Sequence, residues 1–132
     1  MIMRSYALLV PTIFILFTTS VSAQSVDFFE PKNNTTVISP FKVVFMISGM
    51  TIAPSGDMTV NTGHHHLLID TEDIANGIVI PKDDTHKHFG QGQTETEITL
   101  LPGKHKLSLQ FANGAHQSYG EKLSKTIEIT VK

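Results

Sequence analysis

Polar and apolar residues alternate one for one through several short stretches of this chain, and that period of two limits the possible folds more than any other feature. Phe41, Val43, Phe45 and Ile47 alternate with Lys42, Val44, Met46 and Ser48. Leu107, Leu109 and Phe111 alternate with Lys106, Ser108 and Gln110, and Ile127, Ile129 and Val131 with Thr126, Glu128 and Thr130. Ile98 and Leu100 alternate with Glu95, Glu97 and Thr99. Successive side chains of a strand point to opposite faces, so each stretch predicts a strand with one buried face. Turn signals separate them: Lys32-Asn33-Asn34-Thr35, Ser39-Pro40, Leu101-Pro102-Gly103-Lys104 and Asn113-Gly114. Val26 to Glu30, closed by Pro31, suits an edge strand, and Thr36 to Ile38 resumes extended structure. With no helical period in evidence, the pattern predicts an all-β chain: an antiparallel, immunoglobulin-like β-sandwich of about seven strands. Two long loops, 49–63 and 71–92, interrupt it, and loops of that length are commonly functional.

The first 23 residues read differently. Arg4 supplies a positive start, Ala7 to Phe17 an apolar run broken by Pro11, and Val21-Ser22-Ala23 a small-x-small cleavage site before Gln24. This predicts a secretory signal peptide over 1–23 and a single domain over 24–132, placed in the periplasm or secreted. An uncleaved anchor is the alternative, although the run is short for a membrane span. Losing Arg4 takes the formal charge from −2 to −3, which leaves no basic patch for phosphates and argues against a nucleic-acid partner. Export permits disulfides, yet the chain has no cysteine. Its core must therefore hold without covalent staples, and thiolate metal sites and thiol nucleophiles are excluded.

Chemistry concentrates in the seven histidines. Asn61-Thr62-Gly63-His64-His65-His66-Leu67-Leu68-Ile69-Asp70 is a turn signal running into a strand. Its alternation puts His65, Leu67 and Ile69 on one face, and His64, His66, Leu68 and Asp70 on the other. His64 and His66 would then project together from Cα atoms roughly 6.5 Å apart. His86 and His88 form a second pair of the same kind, and His116 lies on the loop before the last strand. Strand-end loops of a sandwich cluster, so the two pairs are expected to meet at one end of the molecule, with His116 as a fifth donor. Four imidazole nitrogens suffice for zinc or copper at about 2.0 Å each. Met50 and Met58 would add thioethers and favour copper. His65, on the apolar parity, is expected to hydrogen-bond to backbone, and His105 to be an exposed strand-end residue.

The motifs Asn-Thr-Gly-His-His-His-Leu-Leu-Ile-Asp (61–70), His-x-His-Phe-Gly-x-Gly-Gln-Thr-Glu-Thr (86–96) and Pro-Gly-x-His-x-Leu-x-Leu (102–109) resemble those of a family of small exported bacterial domains, domain-of-unknown-function family 4399. The similarity runs from about Phe28 to Lys132. The resemblance implies an exported bacterial β-domain in which the histidines and the Gly-rich turn form one signature, and it supplies no reaction.

Two functions of different class follow. The first is an exported protein that binds copper or zinc through His64, His66, His86, His88 and His116, with affinity falling below about pH 6.5 as the imidazoles take up protons. The second is a metal-free interaction module whose polar histidine network grips an envelope or polysaccharide partner. The absence of tryptophan, with Tyr119 the only tyrosine after residue 23, counts against sugar stacking. Asp70, Glu72, Asp73, Asp83 and Asp84 permit a calcium site, though without EF-type spacing. An enzyme is the weaker expectation. No Gly-x-Ser-x-Gly elbow is present, and Gly90 to Thr94 leads into a strand rather than the helix that a phosphate loop needs. Metal-assisted hydrolysis stays open, with His66 or Asp70 as base.

Overall fold

A computed structural model describes residue 2 and residues 11–132. Arg4 and residues 7–10 of the apolar run lie outside the described residues. Among the described residues are nine strands: β1 (Ser25–Glu30), β2 (Thr35–Val37), β3 (Phe41–Ser48), β4 (Thr51–Ile52), β5 (Thr62–Ile69), β6 (His86–His88), β7 (Glu95–Ile98), β8 (Gly103–Ala112) and β9 (Ser124–Val131). One short 3-10 turn, Glu121–Leu123, precedes β9. Each stretch of alternating sequence is a strand. The two additional strands, β4 and β6, have two and three residues and fall inside the long loops, where a segment is too short to display a period.

The smaller sheet has the order β1-β3-β7 and is antiparallel throughout. The larger runs β2-β9-β8-β5-β4, with β6 also paired to β5. Because β8 occupies one edge of β5 from His64 to Ile69, β4 and β6 share the other edge. Two pairings, β2 with β9 and β4 with β5, are parallel, a departure from the purely antiparallel expectation.

Between the sheets lies one apolar core. Phe41, Val43 and Phe45 of β3 meet Leu67 and Ile69 of β5, Leu107, Leu109 and Phe111 of β8, and Ile127, Ile129 and Val131 of β9. Burying each such side chain contributes roughly 1.5–3 kcal/mol, which is how a sandwich without cysteine offsets its chain entropy. Gly63 permits part of this: a Cβ there would lie 2.6 Å from the Phe111 ring, so only glycine lets β5 approach β8 so closely.

All eight residues of β5 are buried, which half-buried strands of an open sandwich are not. Leu67 and Ile69 face the core. His64, His66 and Leu68 face away from it, yet that outer face is roofed. Gly77 N–H donates to the Ser118 carbonyl at 2.8 Å and Ile80 N–H to the His116 carbonyl at 2.9 Å, zipping the 71–82 segment to the loop after β8. Ser55 N–H donates to the Gly90 carbonyl at 2.8 Å and Gly56 N–H to the Gly114 carbonyl at 2.9 Å, closing the other side. The histidines therefore sit on the outer face of the larger sheet, toward the end where β5 begins and β8 finishes, and beneath loops. Loop coverage of a sheet face is non-local and leaves no periodic trace.

Two histidines outside this face also depart from expectation. His65 is fully buried between Phe45 and Phe111, its ring centroid 5.0 Å from each, and neither ring nitrogen has a hydrogen-bond partner. It was expected to bond to backbone; the strand directs it among apolar rings instead. His105 is not free in solvent: its Nδ1 lies 2.6 Å from Asp70 Oδ2 and its Nε2 2.7 Å from the Leu101 carbonyl. Both neighbours accept, so both nitrogens donate and the ring is an imidazolium. The Asp70 hydrogen bond accordingly raises the His105 pKa.

Candidate metal centre

Strand β5 supplies the first two side chains, and its neighbours supply the others. His66 pairs directly with His88 of β6 on one side and with Gln110 of β8 on the other. His116 arrives from the turn after β8, whose last residue, Ala112, pairs with His64. The Asn113-Gly114 signal builds that turn: Asn113 Oδ1 accepts from the N–H groups of Ala115 and Gln117 at 2.9 and 3.0 Å. His116 is held at φ 62°, a left-handed conformation that costs energy in a non-glycine residue and is kept here by its surroundings.

His64, His66, His88 and His116 each offer one nitrogen, and the four nitrogens all lie within 4.8 Å of one another. Nε2 of His64 is 3.1 Å from Nε2 of His66 and 3.2 Å from Nδ1 of His116. Four ligands at 2.0–2.1 Å around a tetrahedral ion would be separated by about 3.3 Å. Ring centroids separate by 4.9 Å (His64–His66), 5.0 Å (His64–His88), 5.1 Å (His64–His116 and His66–His88), 4.7 Å (His88–His116) and 5.9 Å (His66–His116). A square plane would lengthen both diagonals by about two-fifths over the edges. Here His66–His116 is long but the opposite pair, His64–His88, is not, so the set is closer to a tetrahedron.

Burial disfavours the charged form of three of these rings. Desolvation, with smaller contributions from His88 and His116, lowers the His64 pKa to about 4. The same cause, with four neighbouring imidazoles, lowers His66 to about 2, and desolvation also lowers His88. Neutral imidazole is the form that ligates a metal. Ser55 Oγ lies 3.3 Å from His116 Nε2, placed to accept its N–H and leave Nδ1 free for the cluster. The hydroxyl is also 3.4 Å from His88 Nε2, a closeness that Gly90 allows: a Cβ there would stand 2.6 Å from that nitrogen.

His86 is not in the cluster. It shares the strand face of His88, but its Nδ1 is 2.8 Å from Asp83 Oδ1, which also accepts from the backbone N–H of Thr85 and His86 at 2.9 Å. That turn enters β6 and holds the ring beside Asp83, whose carboxyl the His86 contact and Thr85 hold down at about 2. The motif Asp83-Asp84-Thr85-His86 carried the signal, since an Asp two and three residues before its N–H partners is an Asx-turn pattern. Met50 packs against the apolar core and Met58 is exposed. The acidic residues do not converge either: among the described residues, the four histidines form the one group able to hold a metal. Ser55, Ile80 and Lys82, all close to the cluster, lie in stretches without periodicity and went unnoticed in the sequence.

The profile of the family described as domain of unknown function (DUF4399) matches residues 43–132, a span that includes all four clustered histidines. No curated protein and no solved structure matches the chain.

Proposed function

We propose that this chain, which belongs to the domain-of-unknown-function family DUF4399, is an exported protein that binds copper or zinc through His64, His66, His88 and His116. The observation that carries the reading is the convergence of four imidazole nitrogens on one volume, with two nitrogen–nitrogen contacts at 3.1 and 3.2 Å. A metal-free network explains it less well. Nε2 of His64 is either a donor or an acceptor, so it cannot make two good hydrogen bonds to those neighbours. A cation at the centre satisfies every inward lone pair at once. The near-tetrahedral spread of the rings favours zinc, since divalent copper prefers tetragonal surroundings. Four protein ligands suit holding an ion, and the reading assigns binding rather than a reaction. Export is carried over from the leader pattern of the sequence, in which Arg4, the apolar run and Val21-Ser22-Ala23 follow one another.

Calorimetric titration of residues 24–132 with Zn²⁺ and Cu²⁺ tests this. The expected Kd is below about 1 μM, lost in a His64→Ala/His66→Ala variant and kept in His86→Ala. Binding no tighter than a surface histidine pair, or equal loss in His86→Ala, would overturn it.

The lowered pKa values also revise the expected pH dependence. Four imidazoles titrating at 6.5 would together release about two protons on binding a metal at that pH. His64 and His66, lowered to about 4 and 2, are already deprotonated there and should contribute almost none, and His88 is shifted in the same direction. Titration at pH 6.5 in buffers of differing ionisation enthalpy reads the total directly, and release of about two protons would contradict the burial argument.

A further inference from the structure

The tetrahedron of imidazoles has one face that is not backed by protein. A cavity of about 240 Å³ is lined by His66, Ile80, Lys82, His88 and His116. It touches three of the four clustered rings and not the fourth, His64, which is fully buried on the sheet. The cavity therefore lies over the face opposite His64. That face also holds the widest separation of the set, His66–His116. Its rings are 4.7, 5.1 and 5.9 Å apart, whereas each of them lies 4.9–5.1 Å from His64. A ligand entering through a tetrahedral face converts four-coordination to a trigonal bipyramid, in which the three face ligands spread and the fourth becomes axial. Zinc sites make this expansion to five ligands.

The lining indicates what would enter. Ile80 is buried and supplies an apolar wall, and Lys82 is the one Lys, Arg, Asp or Glu side chain of the lining. No carboxylate lines the cavity among the described residues. A water's share of liquid volume is about 30 Å³, so the space holds a small polyatomic anion with a few waters. We infer that the ion held by these histidines takes a fifth, exogenous ligand, a small anion, bound opposite His64 with the Lys82 ammonium as its counter-charge. The inference rests on the metal reading above and specifies what that centre would recognise. Coordination adds one metal–ligand bond and breaks none.

Azide on the Co²⁺-loaded protein is the probe, because tetrahedral Co²⁺ absorbs strongly in the visible range and five-coordinate Co²⁺ weakly. Titrating Co²⁺ first establishes that the ion is bound; no binding at that stage overturns the metal reading together with this one. With the ion in place, azide should weaken the visible band and add a ligand-to-metal charge-transfer band. Lys82→Gln should weaken azide binding by about three- to tenfold, as loss of one charge-assisted contact does, while Co²⁺ affinity is unchanged. A Co²⁺ spectrum indifferent to decimolar azide would show a closed four-ligand centre and overturn the inference alone. So would azide that strips the ion from the protein, or equal azide affinity in Lys82→Gln.

Discussion

Zinc at a thousandfold excess over its Kd should raise the stability of residues 24–132 by about 4 kcal/mol, because an ion that binds only the folded chain adds RT ln(1 + [L]/Kd). For a domain of this size that corresponds to a rise in Tm of roughly 15 °C, reversed by a chelator. The histidines come from three separate parts of the chain: β5, β6 and the turn after β8. Only the folded sandwich brings them together, so the unfolded chain offers at best local pairs such as His64/His66 and His86/His88. His66→Ala should abolish the zinc-dependent rise, since it removes a buried ligand and opens a gap beside His88. His86→Ala should keep it, because that ring is engaged with Asp83. The comparison is made within each variant, with and without zinc, so a loss of intrinsic stability in His66→Ala does not confuse the reading. Equal rises in the wild type and His66→Ala would mean that zinc stabilises through scattered surface histidines, and the four-ring centre would have to be abandoned.

Why that centre was only partly legible in the sequence follows from how each residue reaches it. His64, His66 and their separation from His65 follow from strand parity alone, and β5 obeys it. The sandwich core was equally plain, because alternating residues of β3, β8 and β9 make up most of it. His116 was accessible through its turn signal. The choice between His86 and His88 was not, since both share one face and the decision falls to Asp83, three residues before His86. Least legible was the setting. A strand face bearing two histidines opposite the core reads as a solvent face, and nothing periodic in 71–82 or 113–120 indicates that these segments fold back across it. Their hydrogen bonds to each other are long-range and depend on the finished sheet.

That burial carries a cost which acid should expose. In the unfolded chain His64, His65 and His66 titrate near pH 6.5, while folding lowers them to about 4, 4 and 2, burial being the leading cause for each. Below pH 6.5 the unfolded chain therefore binds protons that the folded chain refuses, and stability falls as pH falls. The slope is about 4 kcal/mol per pH unit for the three rings together, so roughly 5 kcal/mol is lost between pH 6.5 and pH 5. That is comparable with the whole net stability of a small domain. His105 does not offset it: its pKa is raised, so its stabilisation is fully present below 6.5 and is lost only at higher pH. The chelator-treated protein should accordingly unfold with a midpoint near pH 5, followed by circular dichroism. His65 isolates the cause, since it faces the core, touches no clustered ring's nitrogen and has both of its own nitrogens unpartnered. His65→Leu, close in volume and without a proton to take up, should lower the acid midpoint and raise stability at neutral pH by about 1 kcal/mol. A flat titration down to pH 4, or a variant whose midpoint does not move, would mean that these rings meet water or a partner in the folded state and are not neutral for the reason given.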